Sequence, residues 1–155
     1  MSAARPARRH GPWPAALLFG TILLMIALHK VAPVGQVFSF PWRYLGVVPA
    51  MAGAALIASA AERFRRAGTT VLPFHDATRL VADGPYTFSR NPMYLGMAVL
   101  LCGIAVGLGS ITPWLTVPAF VWLITIGVIK VEERLLESAF GRDFLDYKSR
   151  VRRWI

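Results

Sequence analysis

Asp83-Gly84-Pro85-Tyr86-Thr87-Phe88-Ser89-Arg90-Asn91-Pro92-Met93-Tyr94-Leu95-Gly96 carries turn residues, aromatic rings and a cation straight into an apolar run that continues to residue 109. Asn91 followed by Pro92 reads as a helix start. Asn is a preferred cap, and Pro suits the first helical position, where its missing N–H costs nothing. A helix opening there turns unpaired N–H groups and the positive end of its dipole toward the neighbourhood of Arg90, a setting that favours a carboxylate or a phosphate. Gly84-Pro85 supplies the preceding turn. Tyr86, Phe88 and Tyr94 offer faces suited to a flat ring or a cation.

Outward from this stretch the chain is dominated by apolar runs, at about residues 13–31, 44–61, 93–109 and 111–129. A mean hydropathy of +0.51 with 55% hydrophobic residues lies on the membrane side of ordinary composition. At about 1.5 Å per residue each run approaches the roughly 30 Å hydrocarbon thickness, the last two being slightly short. The expectation is an all-α integral membrane bundle of four transmembrane helices, one domain over residues 1–155, with two spans in residues 1–67. Ser110-Ile111-Thr112-Pro113 forces the last two spans into a tight antiparallel hairpin. An amphipathic tail follows. The first run has Arg5, Arg8 and Arg9 before it, yet it is longer than a signal-peptide core and no small-residue cleavage site follows a short core, so it reads as an uncleaved span. Ala50 with Ala54, and Gly103 with Gly107, follow the small-xxx-small spacing of closely packed membrane helices.

Of the seventeen Lys and Arg residues, all but Lys30 and Arg43 fall in the first tail, between the second and third runs, or after the fourth. Positive residues stay cytoplasmic, so both ends and the Gly84–Gly96 stretch are expected on the cytoplasmic side of a bacterial inner membrane. The net charge of +9 flanks spans instead of forming one basic, aromatic surface, which fits lipid headgroups and not nucleic acid. His10, His29 and His75 form no metal-ligand cluster, and Cys102 has no disulfide partner.

A second polar cluster, Glu132-Glu133, directly follows the fourth run. The helix there is expected to continue to about Ala139, with Gly141 at the stop. Adjacent helical residues diverge by about 100°, so only one of the two carboxylates faces the bundle squarely. Surface pairs with Lys130 or Arg134 would satisfy them, as interfacial anchoring would satisfy Arg90 and the tyrosines. The other reading is a pocket at the membrane edge, where carboxylates hold hydroxyls or an ammonium.

Taken in order, Gly84-Pro85-Tyr86, Arg90-Asn91-Pro92-Met93-Tyr94-Leu95-Gly96, Glu132-Glu133-x-Leu135, Phe140-Gly141 and Tyr147 resemble the carboxy-terminal half of the isoprenylcysteine carboxyl methyltransferase and phospholipid methyltransferase superfamily. The resemblance covers about residues 68–154 and implies S-adenosylmethionine as methyl donor, bound in the half from residue 68 onward. It places Arg90 and Asn91 on the methionine carboxylate, with Gly84, Pro92 and Gly96 shaping the pocket. Tyr86, Tyr94 and Tyr147 would line it, and Glu133, with Glu132 second, would take ribose or amino groups. Arg90 and Glu133 are the candidate catalytic residues. The family's Arg-His-Pro is Arg90-Asn91-Pro92 here, so no titratable imidazole stands at that position. Methyl transfer from a sulfonium needs no metal, only donor and acceptor held in line away from water. The expected acceptor is a small or lipid-like carboxylate, amine or thiol entering from the bilayer. A nicotinamide-dependent membrane reductase of related fold and a non-enzymatic lipid-binding scaffold are the competing readings.

Overall fold

The computed structural model describes residues 14–68 and 80–155, so Trp13, His10, His75, Arg79 and the basic residues before Pro14 lie outside the described residues. Within these bounds the regular structure is helical, in six α-helices: α1 (Pro14–Val31), α2 (Val47–Arg66), α3 (Pro92–Leu108), α4 (Thr116–Ile124), α5 (Lys130–Phe140) and α6 (Arg142–Arg150). Short 3-10 turns at Trp42–Gly46 and Thr112–Leu115 lead into α2 and α4. Three continuous helical stretches, Pro14–Val31, Trp42–Arg66 and Thr112–Phe140, are long and apolar enough to cross a membrane. The third expected run, α3, is apolar but only 17 residues long.

Local chemistry explains the boundaries of α3. Pro92 opens it, and Gly109 closes it in the left-handed conformation (φ 82°), its N–H bonded to the Ala105 carbonyl. Gly109 also accepts hydrogen bonds from the Val37 and Phe38 N–H groups, which ties down the loop between α1 and α2. At the same end His29 Nδ1 and Ser110 Oγ are hydrogen-bonded at 2.8 Å, and Thr112 donates to the Ala32 carbonyl at 2.9 Å. Lys30 and Arg43 belong to this end, opposite the Gly84–Gly96 stretch.

The pairing of α2 with α3 is the tightest in the molecule. A Cβ on Gly96 would lie 2.7 Å from the Gly53 carbonyl oxygen, and one on Gly103 would strike the backbone of Gly46 and Ala50. Glycines on both helices therefore let the two backbones touch. Of the small residues noted in the sequence, Ala50 and Gly103 touch across this seam, whereas Gly107 has open space where a side chain would go. Against this pair α1 and α4 bury Met25, Leu101, Ala105, Phe120 and Ile124.

The expected fourth run continues without interruption from Thr112 to Phe140, and it contains a feature that the sequence reading lacked. Residues Thr125–Ile129 form one wide π-helical turn, with the Thr125 hydroxyl donating to the Val121 carbonyl. Such a turn absorbs one residue more than an α-turn, so residues after it face where their preceding neighbours would otherwise face. Glu133 therefore stands in the direction that Glu132 would take on an unbroken α-helix.

Gly141 (φ +50°) ends α5 and turns the chain into α6. The apolar face of α6 docks Phe144 and Tyr147 against Ala60, Val81 and Tyr86. Each such fully buried ring contributes roughly 1.5–3 kcal/mol over leaving it exposed, which holds the polar helix onto the bundle end.

Candidate functional site

Three charged side chains from distant parts of the chain converge where α3 and α5 begin. Arg90 Nη2 lies 3.2 Å from Glu133 Oε1, with both side chains 9% exposed. Arg153 grips the same carboxylate with two bonds, Nε to Oε1 at 3.0 Å and Nη2 to Oε2 at 2.7 Å. Forked contacts of this kind are the strong form of an arginine–carboxylate pair. They hold the pKa of Arg153 above its ordinary value.

The segment after α6 fixes this arrangement through its backbone. The Arg90 N–H donates to the Arg152 carbonyl at 2.9 Å. The Asn91 side-chain amide donates to the Arg153 carbonyl at 3.0 Å, and the fully buried Ser89 hydroxyl to the same oxygen at 3.4 Å. Val151 and Trp154 pack into the two apolar clusters on either side. The expectation that the Asn91 side chain caps α3 is corrected here: Asn91 occupies the cap position, but its amide is committed to the Arg153 carbonyl and makes no capping bond.

The neighbouring carboxylate has a different partner. Tyr94 donates its hydroxyl to Glu132 Oε1 at 2.9 Å. Tyr147 donates to the Tyr86 carbonyl at 2.7 Å, and burial pushes the Tyr147 phenol up to about 12. Burial raises Tyr86 as well, and Phe64 meets its ring edge-on with centroids 5.4 Å apart. Tyr86 and Tyr147 thus belong to the apolar joint between α2 and α6. Gly84 (φ +59°) makes the turn before Tyr86, and a side chain there would collide with the Arg63 guanidinium, itself paired with Asp83 at 3.0 Å. Gly96 faces α2, as described above, and Pro92 is buried at the start of α3. These two positions shape helix packing.

Of the expected site residues, Arg90, Asn91 and Glu133 come together, and Tyr94 with Glu132 forms a second pair. Arg153 was missed, because in the sequence it is one of several cations in a basic tail and nothing local marks it. Surface pairing of Glu133 with Lys130 or Arg134 is not what forms. Glu137 makes such a pair, with Lys148 at 3.3 Å.

One group is left unsatisfied. Arg90 Nε and Nη1 are buried and have no hydrogen-bond partner among the described residues. Buried polar groups are nearly always paired, so two unused donors on one guanidinium are a demand for an acceptor. A cleft of about 270 Å³ opens on the Glu133 and Arg153 side of the triad, lined also by Ile126, Lys130, Arg134, Glu137 and Lys148, with Arg90 behind its wall. It is apolar at Ile126 and charged elsewhere. The described residues contain no cluster of His, Cys, Asp and Glu able to hold a metal ion.

Sequence comparison adds an independent line. A family model described as phospholipid methyltransferase matches residues 42–143. An uncharacterized protein of Haemophilus influenzae is 40% identical over 63 residues, which are 41% of this chain and all of that protein. A protein-S-isoprenylcysteine O-methyltransferase of Schizosaccharomyces pombe is 32% identical over 72 residues, 46% of this chain but only 30% of that enzyme. A probable protein-S-isoprenylcysteine O-methyltransferase of Oryza sativa subsp. indica is 24% identical over 160 residues, covering 97% of this chain and 84% of that protein. No solved structure gives a significant match.

Proposed function

We propose, from the premise that this chain belongs to the phospholipid methyltransferase family, that it transfers a methyl group from S-adenosylmethionine to a lipid-like acceptor at a membrane. The observation that carries this reading is the buried Arg90 with Nε and Nη1 unpartnered among the described residues. The carboxylate of an amino-acid-bearing donor supplies an acceptor for one of these N–H groups. The donor would bring an activated methyl group on a sulfonium centre.

The chain's own residues bind, orient and exclude water. Arg90 takes the carboxylate, Glu133 and Arg153 hold Arg90 in place, and Asn91 and Ser89 fix the strap that carries Arg153. Glu132, oriented by the Tyr94 hydroxyl, accepts from an ammonium or ribose hydroxyl through its second oxygen. Glu133, expected to take ribose or amino groups ahead of Glu132, has two arginines on it, so in this reading it orients cations and the order of the two carboxylates is reversed. Positioning of this kind supplies much of the rate of a displacement that needs no proton transfer at the reacting carbon.

The membrane arrangement is part of the same reading. Four spans, with α3 the shortest, put the Gly84–Gly96 stretch and Glu133 on the cytoplasmic side, where the basic residues gather. The whole chain works as one unit, with residues 68–155 making the donor site. The acceptor, carrying a carboxylate, amine or thiol, reaches it from the bilayer. The S. pombe and O. sativa relatives are named for an isoprenylcysteine acceptor and the family for a phospholipid, and a lipid-tailed substrate is common to both.

Calorimetry of the purified protein with S-adenosylmethionine, S-adenosylhomocysteine and reduced nicotinamide tests the donor. Binding of the first two alone supports the proposal, while binding of nicotinamide alone would transfer the chain to the reductase reading. Methyl transfer from labelled donor into a membrane lipid extract, followed by mass spectrometry, identifies the acceptor. Absence of both donor binding and product would leave a lipid-binding scaffold.

A further inference from the structure

Arg90 and Arg153 compete for one carboxylate, and the outcome of that competition is unusual. An arginine alone with a carboxylate settles into two parallel bonds and uses its donors on that partner. At Glu133 the forked position is taken by Arg153, with contacts of 3.0 and 2.7 Å to the two oxygens. Arg90 is left with one longer contact, 3.2 Å from Nη2 to Oε1, and its Nε and Nη1 stay buried and unpartnered. Arg90 is also the more enclosed of the two, its side chain 9% exposed against 34% for Arg153.

Arg153 is itself held by contacts independent of Glu133. Its carbonyl accepts from Asn91 Nδ2 at 3.0 Å, its neighbour's carbonyl accepts from the Arg90 N–H at 2.9 Å, and Trp154 packs into the α1–α4 core. The strap thus sets the guanidinium of Arg153 against Glu133 while its backbone grips the residues either side of Arg90. With two cations on one anion, the cluster also carries a surplus positive charge next to the unused donors, and burial makes that surplus costly until an anion arrives.

We infer that Arg153 is a positioning residue: by occupying Glu133 bidentately it prevents Arg90 from closing on that carboxylate and leaves an Arg90 donor free for the carboxylate of the bound donor molecule. The inference rests on the methyl-donor reading above and adds a residue and a role to it. Without Arg153, Arg90 turns its fork onto Glu133 and the anion subsite is filled from within the protein.

The test compares S-adenosylhomocysteine with its decarboxylated analogue, which differs only in the anion, by calorimetry on the full chain in detergent. Arg153→Ala should weaken S-adenosylhomocysteine at least about tenfold, the scale of one charged hydrogen bond, and leave the decarboxylated analogue within about twofold. Arg153→Lys, which keeps the charge and loses the fork, should fall between. Adding Glu133→Gln to Arg153→Ala removes the carboxylate on which Arg90 would close, so affinity for S-adenosylhomocysteine should recover relative to Arg153→Ala alone. Equal losses for both ligands, no loss for either, or no recovery in the double variant overturns the positioning role and leaves the methyl-donor reading standing. If the unaltered protein binds neither ligand, both fall. Should Arg153→Ala fail to fold, Arg153→Lys measured with both ligands against the unaltered protein decides: a loss confined to S-adenosylhomocysteine supports the role, and equal losses or none overturn it.

Discussion

Arg90 is a buried cation whose Nε and Nη1 have no partner among the described residues, with Glu133 as its counter-charge. Arg90→Ala should therefore cut affinity for S-adenosylmethionine by roughly ten- to a hundredfold, the value of one or two charge-assisted bonds, as read by calorimetry. Glu133 keeps its two bonds to Arg153 in that variant, so no carboxylate is left unpaired, and the melting temperature followed in the same samples separates lost binding from lost folding. Tyr147 gives a prediction of a different kind. Burial raises its folded pKa to about 12, against about 10 in an unfolded chain. Its stabilising share is therefore complete below about pH 10 and is lost as pH rises through about 12. Tyr86, raised by the same cause, acts in the same direction. Melting temperature in detergent should fall across that window, and Tyr147→Phe should flatten the fall while lowering stability at neutral pH by about 1–3 kcal/mol, since the Tyr86 carbonyl loses its donor.

At the level of elements, the wide turn at Thr125–Ile129 sets which glutamate meets the arginines. It has already absorbed the extra residue, so deleting Gly127 should convert it to an ordinary α-turn and keep Glu133 opposite Arg90, with donor affinity retained within a few fold. In a regular helix the same deletion would swing Glu133 away by about 100°. Loss of binding in the Gly127 deletion would show that the turn does not set this register. The α2–α3 contact predicts the reverse sensitivity: Gly96→Leu must displace the Gly53 carbonyl and Ile57, and overpacking of this type costs roughly 1–3 kcal/mol, measurable by thermal unfolding in detergent. The ends of α3 and α5 were legible in the sequence because Pro92, Gly109 and Gly141 act through their own backbones. The wide turn was not, since Thr125-Ile126-Gly127-Val128-Ile129 has ordinary apolar spacing and carries no local signal of an extra residue. The pairing of Arg90 with Glu133 could be guessed from their shared position at a membrane edge. Arg153 could not, because only folding of α6 back onto the bundle brings the segment after it across the motif.

For the whole molecule, the hydrophobic runs disclosed the helical class, and the cation distribution disclosed an end-to-end asymmetry that the fold repeats. Lys30 and Arg43 lie by the Gly109 turn, while Arg63, Arg90, Lys130, Arg134 and Arg153 gather at the opposite end. Single cysteines placed at Gln36 and at Ser138, in a Cys102→Ser background, should react with an impermeant maleimide from opposite faces of sealed inverted vesicles. Labelling of both from one face would rule out the four-span arrangement. The bare glycine seam between α2 and α3 also bears on traffic within the bilayer. With the two backbones in contact where Gly46 meets Gly103 and where Gly53 meets Gly96, a hydrocarbon chain diffusing through the leaflet meets a shut wall on that flank.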